Sequence, residues 1–594
     1  MSNYSVNQNS VKQILAAIHD DRIAIPELQR PFVWKSSQVR DLMDSLYKGY
    51  PVGYLITWQS VGAKLKGGEI AAHQQILIDG QQRVTALRAA IAGLPVVGSR
   101  YEKKNITIAF NPVTEEFATL TPAIQKSSQW VHNISTFFTS SKLTFIGEYC
   151  RNNPDEDPAK IEASLEKLAA IENAQIGVIS LDDHLPVEVV AEIFVRINAK
   201  GVPLSSADFV MSKIATYGDE GRNLRKLIDY FCHLSAAGHA YDDIRENDEE
   251  FVQSGMLDKI SWLSKYDDEI FQPTYSDIIR IAGLVGFNRG KAGSIVSELS
   301  GLNPETRKTD ESLIPGAYKK LGDALSDIVR QMHFERFLQM IQSIGFVSAD
   351  MIGSKNALNF AYALYLKLRQ LDMTEPERFR AVKRWFVMTL LTGRAVGSFE
   401  SIWEMDLRHM EEQGVENYLR NIEEGELGED FWRVALPQQL VTPSKRSPSF
   451  QVYTAALINS GARGFLSKEA KVSQMFTSQS DMHHIVPKHH LIKNGITKPN
   501  EYNQVANLTL TETHVNLAIS NLPPTEYMAR VLQQTDGGKL VIGEICDRDD
   551  LAANLAENAI PDFVFEVTAE RYSEFLAERR KQMALIIRDY YQAL

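Results

Sequence analysis

From Asp208 to Gln413 apolar residues recur at the spacing of helices that bury one face, as in Ala357–Leu371 and Phe379–Leu391. Such a stretch predicts a bundle of helices serving as spacer and frame. The chain has 594 residues, too many for one hydrophobic core, so roughly two to four domains are expected. The segment before the helical stretch mixes signals. An amphipathic helix over Val11–Asp20 leads to a short extended stretch with Pro26, and a second helix covers Ser37–Lys48. A strand-like run follows at Val52–Trp58, then a sharp strand–turn–helix: Gln75–Asp79, Gly80, and Gln81–Ala92 closed by Gly93. Ile106–Phe110 and Phe117–Leu120 flank Asn111-Pro112 as a hairpin would. This alternation suggests a small α+β domain. Pro437 to Pro448 reads as a polar, proline-bearing linker and a boundary, and the rest of the chain ends in a long helix, Glu570–Leu594.

Composition narrows the class. A hydrophobic fraction of 44% and a charged fraction of 23% are ordinary for a soluble globular protein. No apolar run reaches the roughly 18 residues of a membrane span, and the first residues lack the pattern of a secretory signal. Cys150, Cys232 and Cys546 are too scattered for a disulfide framework or a zinc knuckle, which fits a reducing cytoplasm. The net charge of −12 argues against a protein coated in nucleic acid. The sign reverses locally, however. Lys445, Arg446, Arg463, Lys468, Lys471, Lys488, Lys493 and Lys498 face only Glu469 and Asp481 in their segment, an island suited to a polyanion.

That island holds the most informative residues: Asp481-Met-His-His-Ile-Val-Pro487, then Asn507-Leu-Thr-Leu510 and Thr511-Glu-Thr-His-Val-Asn516. Hydrolysing a phosphodiester needs a base near neutrality, which suits imidazole, and a hard cation for the charge that develops on the leaving oxygen. Neighbouring strand residues point to opposite sides, so His483 and His484 can take different roles. Asn516, on a helix after the second strand, can return an oxygen to the same metal. His514 lies two helical residues away and is turned aside.

The run D-x-H-H-I-V-P, N-L-x-L-T and a later Asn resembles the HNH (ββα-metal) nuclease motif. The resemblance implies His483 and Asn516 as metal ligands and His484 as general base. It implies Asn507 as the residue that orients the base and braces the loop, with Asp481 supporting the first ligand. The loop from His484 to Asn507 is long for the smallest HNH modules, and the cysteine pairs that often brace them are missing. Its Lys488, Lys493 and Lys498 are read as DNA contacts; His489 and His490 read as surface residues.

Near the N-terminus stand Ile25-Pro-Glu-Leu-Gln-Arg-Pro-Phe-Val-Trp34 and Ile78-Asp-Gly-Gln-Gln-Arg83. Gly80 turns a strand into a helix whose first N–H groups can bind an anion, and Gln81, Gln82 and Arg83 add donors. Gln29 and Arg30 could complete the pocket. Asp79 could hold a metal or a ribose hydroxyl, or simply close the turn with Arg83. In this order the two motifs resemble the N-terminal domain of GmrSD-type, modification-dependent restriction endonucleases, a domain similar to the ParB/sulfiredoxin fold. There D-G-Q-Q-R is tied to binding and hydrolysis of nucleoside triphosphate. Ile193–Leu204 with Ser206-Ala-Asp208 resembles a further family stretch in which Arg196 and Asn198 face the pocket or pack, and Leu391-Thr-Gly-Arg394 is also similar.

The expected fold is thus multidomain α+β. Residues 1–215 form a ParB-like nucleotide-binding sensor, 216–436 a helical frame, and 437–594 an HNH domain with flanking helices. The expected function is a cytoplasmic restriction or anti-phage endonuclease with NTPase activity. It would use Mg²⁺ or another divalent cation, be regulated by nucleoside triphosphate, and act on modified phage DNA, with no membrane partner and with a homo-oligomer compatible. The alternatives are a nucleotide-switched ParB-like DNA-binding protein with a degenerate HNH module, and an RNA-cleaving toxin.

Overall fold

The computed structural model describes residues 4–20, 22–24, 32, 34–59, 75–97, 103–182, 185, 189, 206–215, 217–302, 306, 308, 310–475 and 480–594. Two compact units emerge: Met1–Tyr266 with Ala292–Gly322, and Asp267–Lys291 with Asp323–Leu594. They part elsewhere than the expected boundaries after 215 and 436.

In the first unit strands β1 (Tyr4–Ser10), β2 (Ile23–Ala24), β3 (Tyr54–Gln59), β4 (Gln75–Asp79) and β9 (Gln175–Leu181) form one sheet in the order β1-β9-β3-β4-β2. β9 runs antiparallel to β1 and parallel to β3, so the sheet is mixed. Small hairpins pair β5 (Val96–Val97) with β6 (Lys103–Lys104), and β7 (Ile108–Asn111) with β8 (Glu116–Thr119). The last pair is the hairpin expected around Asn111-Pro112. The sheet's apolar residues, among them Leu55, Leu77, Ile176 and Val178, share one core with helices Val11–His19, Ser36–Tyr47, Gln81–Ala92 and Pro158–Ala169. Sequence patterning does not announce β1 and β9. They pair with each other across most of the domain's length, a partnership that local alternation does not reveal.

The second unit is helical around Lys355–Leu368, which is buried on nearly every side: Leu358, Phe360, Ala361, Tyr362 and Leu364 are all inaccessible. A helix apolar all round belongs inside a bundle, and this one packs against Tyr275–Phe287 and Glu375–Thr392. Its Phe360 ring lies 4.2 Å from that of Trp385 and 5.4 Å from that of Trp403. Helices Pro448–Ser460 and Tyr572–Gln592 join the same bundle. Pro437–Pro448, expected as a linker and boundary, is therefore an internal connection. Pro437 sits in helix Leu436–Gln439, the Ser449 hydroxyl meets Gln439 Oε1 at 2.6 Å, and Val505 N–H donates to the Thr442 carbonyl at 2.8 Å. Proline at a first helical turn lacks only an N–H that would be unsatisfied anyway, so it does not break the packing. Among the described residues no helix is long and apolar enough to cross a membrane.

Candidate nuclease site

β10 (Ser480–His484) and β11 (Leu508–Glu512) pair antiparallel, with His483 opposite Thr509 and His484 opposite Leu508. Helix Thr513–Ile519 follows β11 without a loop and packs back on both strands. The result is a two-stranded ribbon with a helix across it.

The alternation of a strand then sorts the two histidines. His483 is buried, its ring nearly parallel to that of Phe465, and its Nδ1 lies 2.7 Å from Asn516 Oδ1. His484 is half-buried, and its Nε2 lies 2.9 Å from Asn503 Oδ1. Burial holds the His484 imidazole below its usual pKa, and the Lys445 and Lys488 ammonium groups act in the same direction against the contribution of Asn503. A cleft of about 350 Å³ opens over Met482, His483, His484, Lys488, Asn516 and Ser520.

Asn507 does not reach the His484 ring. It is fully buried, its Oδ1 accepts from Val486 N–H at 2.9 Å, and its Nδ2 donates to the carbonyls of Val486 and Tyr502 at 3.0 and 3.1 Å. It closes the base of the loop, while Asn503 meets the imidazole. The fully buried Arg579, from the C-terminal helix, donates to the carbonyls of Ala506 and Leu508 on either side of Asn507 at 2.9 and 2.8 Å, and to that of Asn558 at 3.2 Å. A guanidinium whose two terminal nitrogens are both given to carbonyls pins the turn before β11 in place. Sequence reasoning missed Asn503 and Arg579, for which no local signal exists. It counted Lys445 only as part of the basic island.

The remaining expected residues scatter. Lys488 is exposed at the cleft, with its Nζ 5.1 Å from the centre of the Tyr502 ring. Lys493 is exposed on the same short helix but does not line the cleft among the described residues. Lys498 pairs with Glu501 at 3.2 Å. His514 is exposed, 4.0 Å from Glu512. Part of the basic island is structural, since Arg463 bonds Asp550 and Glu557 at 2.5 and 2.8 Å. The Asp481 side chain lies outside the described residues. Among the described residues no group of three or more His, Cys, Asp or Glu gathers to hold a metal.

At the N-terminal motif, β4 ends at Gly80, whose φ of +96° starts helix Gln81–Ala92. A Cβ there would stand 2.2 Å from Leu55 Cδ2, so glycine is required both by backbone and by packing. Arg83 lies half-buried over the start of β3, donating to the Tyr54 carbonyl at 2.8 Å, beside Gly53, where a Cβ would stand 3.2 Å from the guanidinium. Burial lowers the Arg83 pKa, and nearby Asp79 opposes it. The Gln81 amide is already given to the Leu77 carbonyl at 3.1 Å. Gln29, Arg30, Arg196 and Asn198 lie outside the described residues, while Asp208 is buried at the start of helix Ser206–Ala215.

Mixed α+β architecture, with a histidine pair and an asparagine converging in a cleft on a ribbon and helix, is the class that fold and site define. Residues 11–215 match the family model described as the GmrSD restriction endonuclease, N-terminal domain. The likeness is to the N-terminal domain of a restriction endonuclease and covers about a third of the chain. No curated protein matches the chain.

Proposed function

We propose that the chain is a metal-dependent DNA endonuclease of a restriction or anti-phage system, cutting through an HNH site and regulated by nucleoside triphosphate at its N-terminal motif. The single observation that carries the nuclease reading is the meeting of His483, Asn516 and His484 in one open cleft. His484, kept neutral by burial and by two neighbouring ammonium groups, takes the proton from the attacking water. The donor set of His483 and Asn516 suits a divalent cation. His483 Nδ1 and Asn516 Oδ1, 2.7 Å apart at the open cleft, would be the groups that hold it. Bound there, Mg²⁺ or a similar ion would supply charge stabilisation at the leaving oxygen. Lys445 and Lys488 grip phosphates beside the scissile bond.

Nicking of supercoiled plasmid, with Mg²⁺ or Mn²⁺ and with EDTA, tests the reading. Nicking only with the cation is expected, and its absence under every cation, or its persistence in EDTA, would overturn the assignment. Hypermodified phage DNA compared with unmodified DNA, across nucleotides, tests selectivity and regulation.

Two further outcomes are expected. Lys445→Ala and Lys488→Ala should each weaken DNA binding a few-fold and lower the slope of log affinity against log salt by about 1; unchanged slopes would remove these lysines from the interface. Arg83→Ala should weaken nucleotide binding about tenfold, since a bidentate phosphate donor is lost. Unaltered titration of a fluorescent nucleotide would place that site elsewhere.

A further inference from the structure

We infer that Asn503 is the positioning residue that aims His484 and makes Nδ1 the ring nitrogen that receives the proton. The inference rests on the nuclease reading of the cleft. Asn503 Oδ1 stands 2.9 Å from His484 Nε2. An amide oxygen can only accept, so Nε2 carries the hydrogen, and the lone pair of the neutral ring is left on Nδ1. The bond also fixes the ring's rotation, and orientation is a large part of what a general base contributes.

Asn503 can do this because its backbone is held from several sides. Its N–H donates to the Pro499 carbonyl at 3.1 Å, closing the short helix Pro499–Tyr502. Asn507 Nδ2 holds the Tyr502 carbonyl at 3.1 Å, and the Tyr572 hydroxyl holds that of Glu501 at 3.0 Å. The long loop between the two strands thus carries an acceptor to the far side of the imidazole. Two asparagines divide the work, Asn507 building the loop and Asn503 addressing the ring. The backbone cap at Asn503 needs no side chain, so a structural role and a positioning role respond differently to substitution.

An acceptor series in the full chain separates them. Asn503→Asp keeps an oxygen at the same reach, whereas Asn503→Leu keeps the volume and removes it. Plasmid nicking at saturating Mn²⁺ should lose at least tenfold in kcat for Asn503→Leu, with KM for DNA unchanged, and stay within about threefold of the parent for Asn503→Asp. Equal rates in all three proteins, or equal losses in both variants, would overturn the inference. His484→Ala distinguishes the two levels. If it nicks like the parent, the nuclease reading fails; if it is inactive while Asn503→Leu keeps full kcat, the role of Asn503 alone fails. Imidazole ¹⁵N shifts of the unsubstituted protein give a measurement that no folding defect can spoil: the Nε2–H tautomer of His484 is expected, and the Nδ1–H tautomer would refute the inference.

Discussion

Replacing His484 by alanine should reduce plasmid nicking by at least about 10³-fold while leaving the fold and DNA affinity close to those of the parent. The side chain is half-buried and, among the described residues, its hydrogen bond at the site is to Asn503, so the stability loss should stay near 1 kcal/mol. The pairing of β10 with β11 at this position is made by backbone opposite Leu508 and survives the change. On the proposed reading the phosphate contacts belong to the lysines, so binding measured by fluorescence anisotropy should hold. His483→Ala and Asn516→Ala make the informative comparison: both should raise the divalent concentration needed for nicking, which His484→Ala cannot do. If His484→Ala retains more than a tenth of the parent rate, another group is the base.

The second large effect is structural. Asp406 is fully buried in the helical unit and accepts three hydrogen bonds, from Arg394 at 2.5 Å, from the Tyr418 hydroxyl at 2.7 Å and from the Trp385 indole at 3.1 Å. Burial raises its pKa and Arg394 opposes the rise, so the carboxylate is stable only because its partners are in place. Asp406→Ala would leave a buried guanidinium with Glu426 as its remaining acidic partner, an indole N–H and a phenol without acceptors. Breaking a buried pair by removing one member typically destabilises by about 3–5 kcal/mol. The thermal transition of the helical unit should fall by several degrees, with Asp406→Asn, which keeps an acceptor, losing less. A drop under about 1 kcal/mol would mean that water relieves the network and that the pocket is not closed. Arg394 lies in the Leu391-Thr-Gly-Arg394 segment singled out from the sequence, and this packing is the role the structure gives it.

Part of the architecture could be read without a structure. Helix Gln81–Ala92 has the bounds the sequence suggested, because a left-handed Gly80 opens it and a left-handed Gly93 closes it. The ribbon and helix around the histidine pair were equally legible, since strand alternation acts over a few residues and the motif resemblance supplied Asn516. The pairing of the exposed Lys498 with Glu501, one helical turn away, was not read from the sequence. The linker expectation for Pro437–Pro448 failed for another reason. A proline-bearing polar segment has the composition of a boundary, whether it lies between domains or is pinned through Thr442 to the loop of a site.

What the sequence determined by itself is the set of local devices: which residues begin and end helices, and which histidines alternate across a strand. These depend on bond geometry and on neighbours a few residues apart. Only the tertiary structure decided that β1 and β9 complete the N-terminal sheet, that Arg579 pins the turn beside Asn507, and that Asn503 is the asparagine standing against His484. Each joins parts of the chain that meet through burial and hydrogen bonding in three dimensions, and no periodicity along the chain records such meetings.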